Sequence, residues 1–120
     1  MTWKDALKEG QELVLATSSK DGKPHAIFVI CKGIVDDKIL ISVCQMKKSL
    51  KNIRENPDVV LITKYNNEYY RISGKGTIHA SGKYFDLAIA RNIKGTPKPK
   101  AALAVDINEV YDVDKVKKIK

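Results

Sequence analysis

Lys48 and Ser49 stand where the apolar segment of residues 39–44 gives way to a segment with helical periodicity. The first turn of a helix presents backbone N–H groups that have no intrahelical acceptor, and the helix dipole adds partial positive charge there. Lys48 would supply full positive charge, and Ser49 would supply a further hydrogen-bond donor. This combination is typical of a phosphate site. Because Lys-Ser is a common dipeptide, the interpretation depends on the surrounding elements.

Six strands and three helices are expected to position this pair. Period-2 alternation, turn residues and helix signals place the strands at residues 13–17, 24–32, 38–44, 59–64, 69–80 and 102–110. Helices are predicted after Thr2 up to Gly10, over Lys48–Glu55, and over residues 84–92. Hairpin signals rather than βαβ alternation join the strands, so the sheet should be antiparallel. The predicted fold is mainly β: a six-stranded antiparallel Greek-key barrel with peripheral helices.

The second predicted strand, residues 24–32, is apolar on both faces. Ile27, Val29 and Cys31 share one face with His25, and residues 26, 28 and 30 on the other face are also apolar. An antiparallel strand with one solvent-exposed face should alternate apolar and polar residues. This strand does not alternate, so we expect both of its faces to be covered. One face fits a barrel interior, and the other needs a ligand, a helix or a second subunit.

Charge and composition set limits on the function. The chain of 120 residues fits one domain, with residues 111–120 as a lysine-rich solvated tail, and its net charge is +8. Only three of its 22 basic residues are arginines, which disfavours nucleic-acid recognition. No apolar run is long enough for a membrane span or a secretory signal, so a cytoplasmic location is expected. Cys31 and Cys44 are predicted to be buried, reduced thiols, and no metal site is predicted.

The order of these motifs resembles the FMN-binding split-barrel family, the pyridoxamine 5′-phosphate oxidase-like proteins. The resemblance covers residues 13–110 and depends on four blocks in order. They are the hairpin Leu15-Ala16-Thr17 to Asp21-Gly22-Lys23-Pro24-His25, the strand Ile39-Leu40-Ile41-Ser42-Val43 followed by Lys47-Lys48-Ser49 and Asn56-Pro57, the strand Val59-Val60-Leu61, and the stretch Ile72-Ser73-Gly74-Lys75-Gly76-Thr77.

The resemblance implies a homodimer with two FMN molecules at its interface. It places the flavin ring along residues 26–30, the ribityl chain and phosphate along residues 42–45, and the phosphate itself at Lys48 and Ser49. The cofactor-binding residues that it implies are Ile27, Phe28, Val29, Ser42, Val43, Cys44, Gln45, Met46, Lys47, Lys48 and Ser49. The implied activity is that of a flavoprotein oxidoreductase passing electrons through the flavin to a small acceptor.

The chain also departs from the family pattern, which leaves alternatives open. Phe28, Val29 and Ile30 replace polar side chains that many members carry near the ring, and no Trp- and Arg-containing segment follows Arg91, so pyridoxamine-phosphate oxidation is not predicted. The alternatives are a non-catalytic flavin carrier, an F420-binding relative and a small basic nucleic-acid-binding barrel. Arg71 is either a paired surface cation or a contact to an anion across the dimer. The donor, the acceptor and any catalytic residue are not predicted.

Overall fold

The computed structural model describes residues 3–44 and 46–120, so the predicted N-cap Thr2 lies outside the described residues. A short 3₁₀ helix covers Trp3–Leu7, where the sequence predicts a longer helix. The strands are β1 (Glu12–Ser18), β2 (Pro24–Val35), β3 (Lys38–Val43), β4 (Asp58–Tyr65), β5 (Glu68–His79), β6 (Ala101–Asp112) and β7 (Lys117–Lys118). The α-helices are α1 (Lys48–Glu55) and α2 (Lys83–Ala90).

The strands form one antiparallel sheet in the order β3-β2-β1-β4-β5-β6-β7. Strand β3 also pairs with β6, from Lys38↔Asp106 to Val43↔Ala101, and this pairing closes the first six strands into a barrel. The predicted six-stranded antiparallel split barrel is thereby confirmed. The barrel interior holds the inward-facing residues of the first six strands, and its fully buried members include Leu13, Leu15, Ile39, Ile41, Leu61, Ile72, Leu103 and Val110.

Strands β2 and β3 diverge at one end, which opens the barrel wall. Residues 24–30 of β2 pair with β1, whereas the described pairing of β2 with β3 begins only at Cys31↔Ile41. A register shift between Cys31 and Ile34 interrupts this pairing, and Gly33 takes a φ of 99° there. The end of β3 therefore borders a gap on its β2 side, while its other side still pairs with β6 up to Val43↔Ala101.

The outer faces of the sheet are covered unequally. Helix α2 covers the outside of β3 and β6, where Ala88 packs against Leu40 and Ala102. On the outside of β2, by contrast, Phe28 is 76% exposed. The sequence predicts that both faces of the second strand are covered. Within one chain, only the inner face of β2 is covered.

The lysine-rich residues 111–120 include paired strands, whereas the sequence predicts a solvated tail. Strand β6 continues to Asp112, and β7 pairs back onto it with Tyr111↔Lys118 and Asp112↔Lys117. The backbone N–H of Val110 also donates to the Lys120 carbonyl at 3.0 Å. The lysine side chains are exposed as expected, but the backbone extends the sheet. None of the helices in residues 3–44 and 46–120 has the length and apolar character needed to span a bilayer.

Candidate functional site

A cavity of about 620 Å³ lies at the gap between β2 and β3. Strand β2, the end of β3, the start of α1 and the loop after α2 all contribute to its lining. The lining residues are His25, Ile27, Phe28, Val29, Ile30, Lys32, Ser42, Cys44, Met46, Lys47, Lys48, Ser49, Asn92, Thr96 and Pro97. A volume of this size lies within the range of pockets that bind small molecules and cofactors.

One end of the cavity carries the N-terminus of α1. Lys47 occupies the N-cap position in helical backbone conformation and makes no side-chain capping hydrogen bond. Lys47 therefore provides no side-chain acceptor for the first-turn N–H groups, and Lys47 and Lys48 add two exposed positive charges beside them. Free N–H groups, the helix dipole and two lysines together form a binding site for an anion.

Two buried hydroxyl groups at this end lack hydrogen-bond partners. Ser49 is 1% exposed, Ser42 is also buried, and the Oγ atom of neither residue has a partner within residues 3–44 and 46–120. Both side chains line the cavity. Burying a hydroxyl without a partner costs about 1–3 kcal/mol. A ligand that accepts hydrogen bonds from both serines would remove this cost, which fits a phosphate group.

Helix α1 is held rigidly against the barrel. The Asn52 side chain donates a hydrogen bond from Nδ2 to Thr17 Oγ1 at 3.1 Å, and both residues are buried. Ile53 belongs to the barrel core, and Leu50 packs against that core. The helix ends at Glu55 because Pro57 disfavours helical backbone at Asn56, which is extended. These contacts fix the position of Lys48 and Ser49 relative to β1.

The wall along β2 is apolar. Ile27, Phe28, Val29 and Ile30 line it over four consecutive positions, and Phe28 marks the cavity mouth because it is both lining and exposed. Consecutive residues of a strand point to opposite faces, so all four reach the cavity only because β2 is free of β3 here. Such a wall suits the flat apolar surface of an aromatic ring system.

Lys32 and Arg91 join β2 to the loop that lines the far side of the cavity. Lys32 is 2% exposed, and its Nζ donates to the Arg91 carbonyl at 3.1 Å. Arg91 in return donates from Nη1 to the Lys32 carbonyl at 2.6 Å. No carboxylate in residues 3–44 and 46–120 forms an ion pair with Lys32, so its buried charge adds to the positive potential of the cavity.

The two cysteines differ in their surroundings. Burial raises the pKa of Cys31 to about 11, and its Sγ donates to the Leu7 carbonyl at 3.3 Å, so this thiol stays protonated at neutral pH. Cys44 is half-buried rather than fully buried as predicted. It lines the cavity, and its Sγ lies 3.5 Å from the Pro97 carbonyl oxygen. Cys44 thus connects the end of β3 to the loop after α2.

The structure brings most of the predicted cofactor residues together. Those lining the cavity are Ile27, Phe28, Val29, Ser42, Cys44, Met46, Lys47, Lys48 and Ser49. Val43 does not line it, because strand alternation turns this side chain into the barrel core. Gln45 lies outside the described residues. Arg71 and His79 lie away from the cavity, with Arg71 over the Tyr111 ring at 4.5 Å and His79 beside the Tyr84 ring at 4.9 Å.

Five lining residues were not among the predicted site residues: His25, Lys32, Asn92, Thr96 and Pro97. The sequence could have indicated Lys32, because this lysine directly follows an apolar run in β2. Nothing in the sequence indicated Asn92, Thr96 and Pro97, because only the packing of the loop after α2 brings them to the cavity. Within the described residues, no group of His, Cys, Asp and Glu side chains could hold a metal ion.

Solved structures share this fold. HupZ of Group A Streptococcus superposes with a TM-score of 0.86 at 18% identity, covering 98% of this chain and 95% of that one. An FMN-binding protein of Syntrophomonas wolfei gives 0.75 at 19% identity, with 91% and 80% covered. A structure named F420 reductase gives 0.72 at 16% identity, with 92% and 96% covered. At these identities the likeness establishes the fold.

Sequence comparison establishes the family. A protein of Methanocaldococcus jannaschii, named as the uncharacterized protein MJ0282, is 32% identical over 111 residues, which cover 88% of this chain and 74% of that protein. The family model described as pyridoxamine 5′-phosphate oxidase matches residues 2–114, nearly the whole chain. The barrel, the cavity and these matches agree, and the chain belongs to the pyridoxamine 5′-phosphate oxidase-like family.

Proposed function

We propose that this protein binds FMN in the cavity between β2 and β3, with the phosphate at the N-terminus of α1. The observation that carries the proposal is the pair of buried, unpartnered hydroxyls of Ser42 and Ser49 beside Lys47 and Lys48. A dianionic phosphate has enough acceptor oxygens to pair with both hydroxyls and the first-turn N–H groups. Charge-assisted hydrogen bonds of this kind are about twice as strong as neutral ones.

The remainder of the cavity fits the other parts of FMN. Its apolar wall along β2 suits a planar ring system, and Cys44 and Met46 add further lining to the same cavity. The similar fold of an FMN-binding protein supports this choice of ligand. Because Phe28 at the mouth is 76% exposed, one side of the ring would remain open in a single chain, which supports a homodimer with the flavin at its interface.

We further propose that the protein is a flavin-dependent oxidoreductase. Bound FMN would supply the redox chemistry, since its ring can accept a hydride from a reduced donor and pass electrons to an acceptor. The residues of this chain would bind the phosphate, orient the ring and exclude water from its apolar side. A flavin carrier without a substrate would use the same residues for the same purposes.

F420 is the second candidate cofactor, and a specific observation supports it. The fold is also similar to that of a protein named F420 reductase. A phosphate site at α1 would serve either cofactor, because both carry a phosphate group. FMN remains the first choice because two proteins of similar fold, from Nostoc punctiforme and Syntrophomonas wolfei, are named as FMN-binding.

Replacing Lys48 with alanine is expected to weaken FMN binding by roughly 10-fold, the loss of one exposed charge-assisted contact. The variant should unfold at the same temperature as the wild type within error, since Lys48 is exposed and surface substitutions usually change stability little. Fluorescence titration with FMN measures the affinity.

Lys51→Ala is the matched control. Lys51 is an exposed lysine of the same helix that does not line the cavity, so its removal changes the net charge equally. We expect Lys51→Ala to bind FMN almost as the wild type does. Equal weakening by both substitutions would mean that Lys48 acts through general charge rather than as part of the site.

A further inference from the structure

Cys44 is the accessible one of the two cysteines in the chain, and it lies in the cavity between β2 and β3. Its side chain is half-buried and lines the cavity, and its Sγ donates to the Pro97 carbonyl at 3.5 Å. Pro97 is itself exposed, so this contact does not seal the thiol from solvent. A small molecule that enters the cavity can therefore reach the sulfur of Cys44.

Cys31, the other cysteine, is not available to Cys44. It is fully buried in the barrel core, where its Sγ donates to the Leu7 carbonyl at 3.3 Å, and burial raises its pKa to about 11. Thiol–disulfide exchange needs a thiolate and access to the attacked sulfur. A group attached to Cys44 through a disulfide would therefore meet no second cysteine that could displace it, and an external thiol would have to remove it.

Hydroxyl groups without partners lie close to this thiol. Ser42 precedes Cys44 by two residues and lines the same cavity, so their Cα atoms are at most about 7 Å apart. The Oγ atoms of Ser42 and Ser49 have no partner among the described residues, and Ser49 is 1% exposed. Lys47 and Lys48 add positive charge to the lining. An acid group attached to Cys44 would thus find hydrogen-bond donors and cations.

We propose that Cys44 is a site of reversible modification by a small disulfide whose transferred half carries an acid group, and that the adduct closes the FMN cavity. The Cys44 thiolate attacks one sulfur of the disulfide and forms a new S–S bond, while the other half leaves as a thiolate and takes up the proton that Cys44 has lost. Cys44 is oxidised and the small disulfide is reduced, so no further reactant is needed. The competition with FMN rests on the proposed function, whereas the modification does not.

The spacing of Ser42 and Cys44 suits a short acidic chain. In mercaptopropionate, two methylene groups separate the sulfur from the carboxylate, which gives a reach of roughly 5 Å from sulfur to oxygen. A hydrogen bond extends this reach by about 2.8 Å. The carboxylate of an adduct on Cys44 therefore reaches the Ser42 hydroxyl. The adduct and FMN exclude one another, because both require the same hydrogen-bond donors in one cavity.

A series of disulfides tests the preference for an acid group in the ligand-free protein. Dithiodipropionate, hydroxyethyl disulfide and cystamine transfer halves that end in a carboxylate, a hydroxyl and an ammonium group. Mass spectrometry of the digested protein measures how fast Cys44 acquires each half, and the rate in the urea-unfolded protein corrects for the intrinsic reactivity of each reagent. The corrected rate should be at least about 10-fold higher for dithiodipropionate than for cystamine. Equal corrected rates, or no reaction of folded Cys44, would overturn the proposal.

Ser49→Ala separates the site from the general charge of the chain. The substitution leaves every lysine in place, so a preference caused only by the net charge of +8 would survive it. We expect Ser49→Ala to reduce the preference for dithiodipropionate by at least about threefold. Ser81→Ala, at an exposed position outside the cavity, should keep it, and Cys44→Ser should acquire no adduct. An undiminished preference in Ser49→Ala would contradict the proposed position of the acid group.

Competition with FMN separates this inference from the proposed function. FMN at ten times its dissociation constant lowers the fraction of free protein about 11-fold, and the modification of Cys44 should slow by the same factor. The modified protein should bind no FMN until dithiothreitol restores the thiol, and unimpaired binding would overturn the proposal. A charge preference in a protein that takes up no FMN would support the modification site and remove the proposed cofactor. FMN binding by a protein whose Cys44 never reacts would retain the function and remove this inference.

Discussion

Ser49→Ala is expected to weaken FMN binding by roughly 10- to 100-fold, which corresponds to losing a hydrogen bond to a charged group worth about 1.5–3 kcal/mol. Ser49 is 1% exposed and its Oγ has no partner among the described residues, so the hydroxyl contributes nothing favourable to the ligand-free fold. Alanine removes its desolvation cost. We therefore expect the ligand-free variant to be as stable as the wild type or more stable by up to about 1 kcal/mol.

The opposite directions of these two effects identify Ser49 as a ligand contact. Isothermal titration with FMN measures the affinity, and urea unfolding of the ligand-free protein measures stability. Ser81→Ala, at an exposed position outside the cavity, is the control and should change neither quantity. A variant that lost stability but bound FMN normally would show that Ser49 has a structural role only.

Gly74→Ala is expected to destabilise the protein by about 3 kcal/mol, because the added methyl group has no space. A Cβ at Gly74 would overlap the Asp106 carbonyl oxygen and lie 2.8 Å from Val105 Cγ1. Both atoms belong to β6, which closes the barrel, so the backbones of β5 and β6 would have to separate. For a chain of 120 residues this loss corresponds to a decrease of about 12 °C in melting temperature.

Gly76→Ala is the matched control for that substitution. It lies two residues along the same strand, and its added Cβ would come within 2.9 Å of Leu103 Cδ1, the end of a flexible side chain. Leu103 can move by a small rotation, so a loss of about 1 kcal/mol is expected. Differential scanning calorimetry of both variants checks the difference. Equal losses of stability in the two variants would show that overlap with the Asp106 carbonyl is not the cause of the destabilisation at Gly74.

Local sequence patterns were sufficient for much of the fold. Helix α1 spans Lys48–Glu55 as predicted, because a helical pattern and the Asn56-Pro57 stop are both local signals. The strands matched their predicted positions to within a few residues, since apolar alternation reports which face is buried. The N-terminal helix is a 3₁₀ turn of five residues instead of a longer helix.

The features that were missed depend on contacts distant in sequence. Lys32 and Arg91 are separated by 59 residues, and nothing near either residue indicates their exchange of hydrogen bonds. The pairing of β7 with β6 is made by backbone groups, which a lysine-rich composition does not reveal. The side chain of Val43 lies in the barrel core with Ile39 and Ile41, as alternation along its strand indicates.

The central claim is that the N-terminus of α1 binds the phosphate of FMN, and riboflavin tests it most directly. Riboflavin has the same ring and ribityl chain but no phosphate. Titration of the wild-type protein with both ligands measures the two dissociation constants under identical conditions. The phosphate contacts of Lys48, Ser49 and Ser42 predict that FMN binds at least about 100-fold more tightly, equivalent to roughly 2.8 kcal/mol. Equal affinities, or no binding of FMN, would contradict this account.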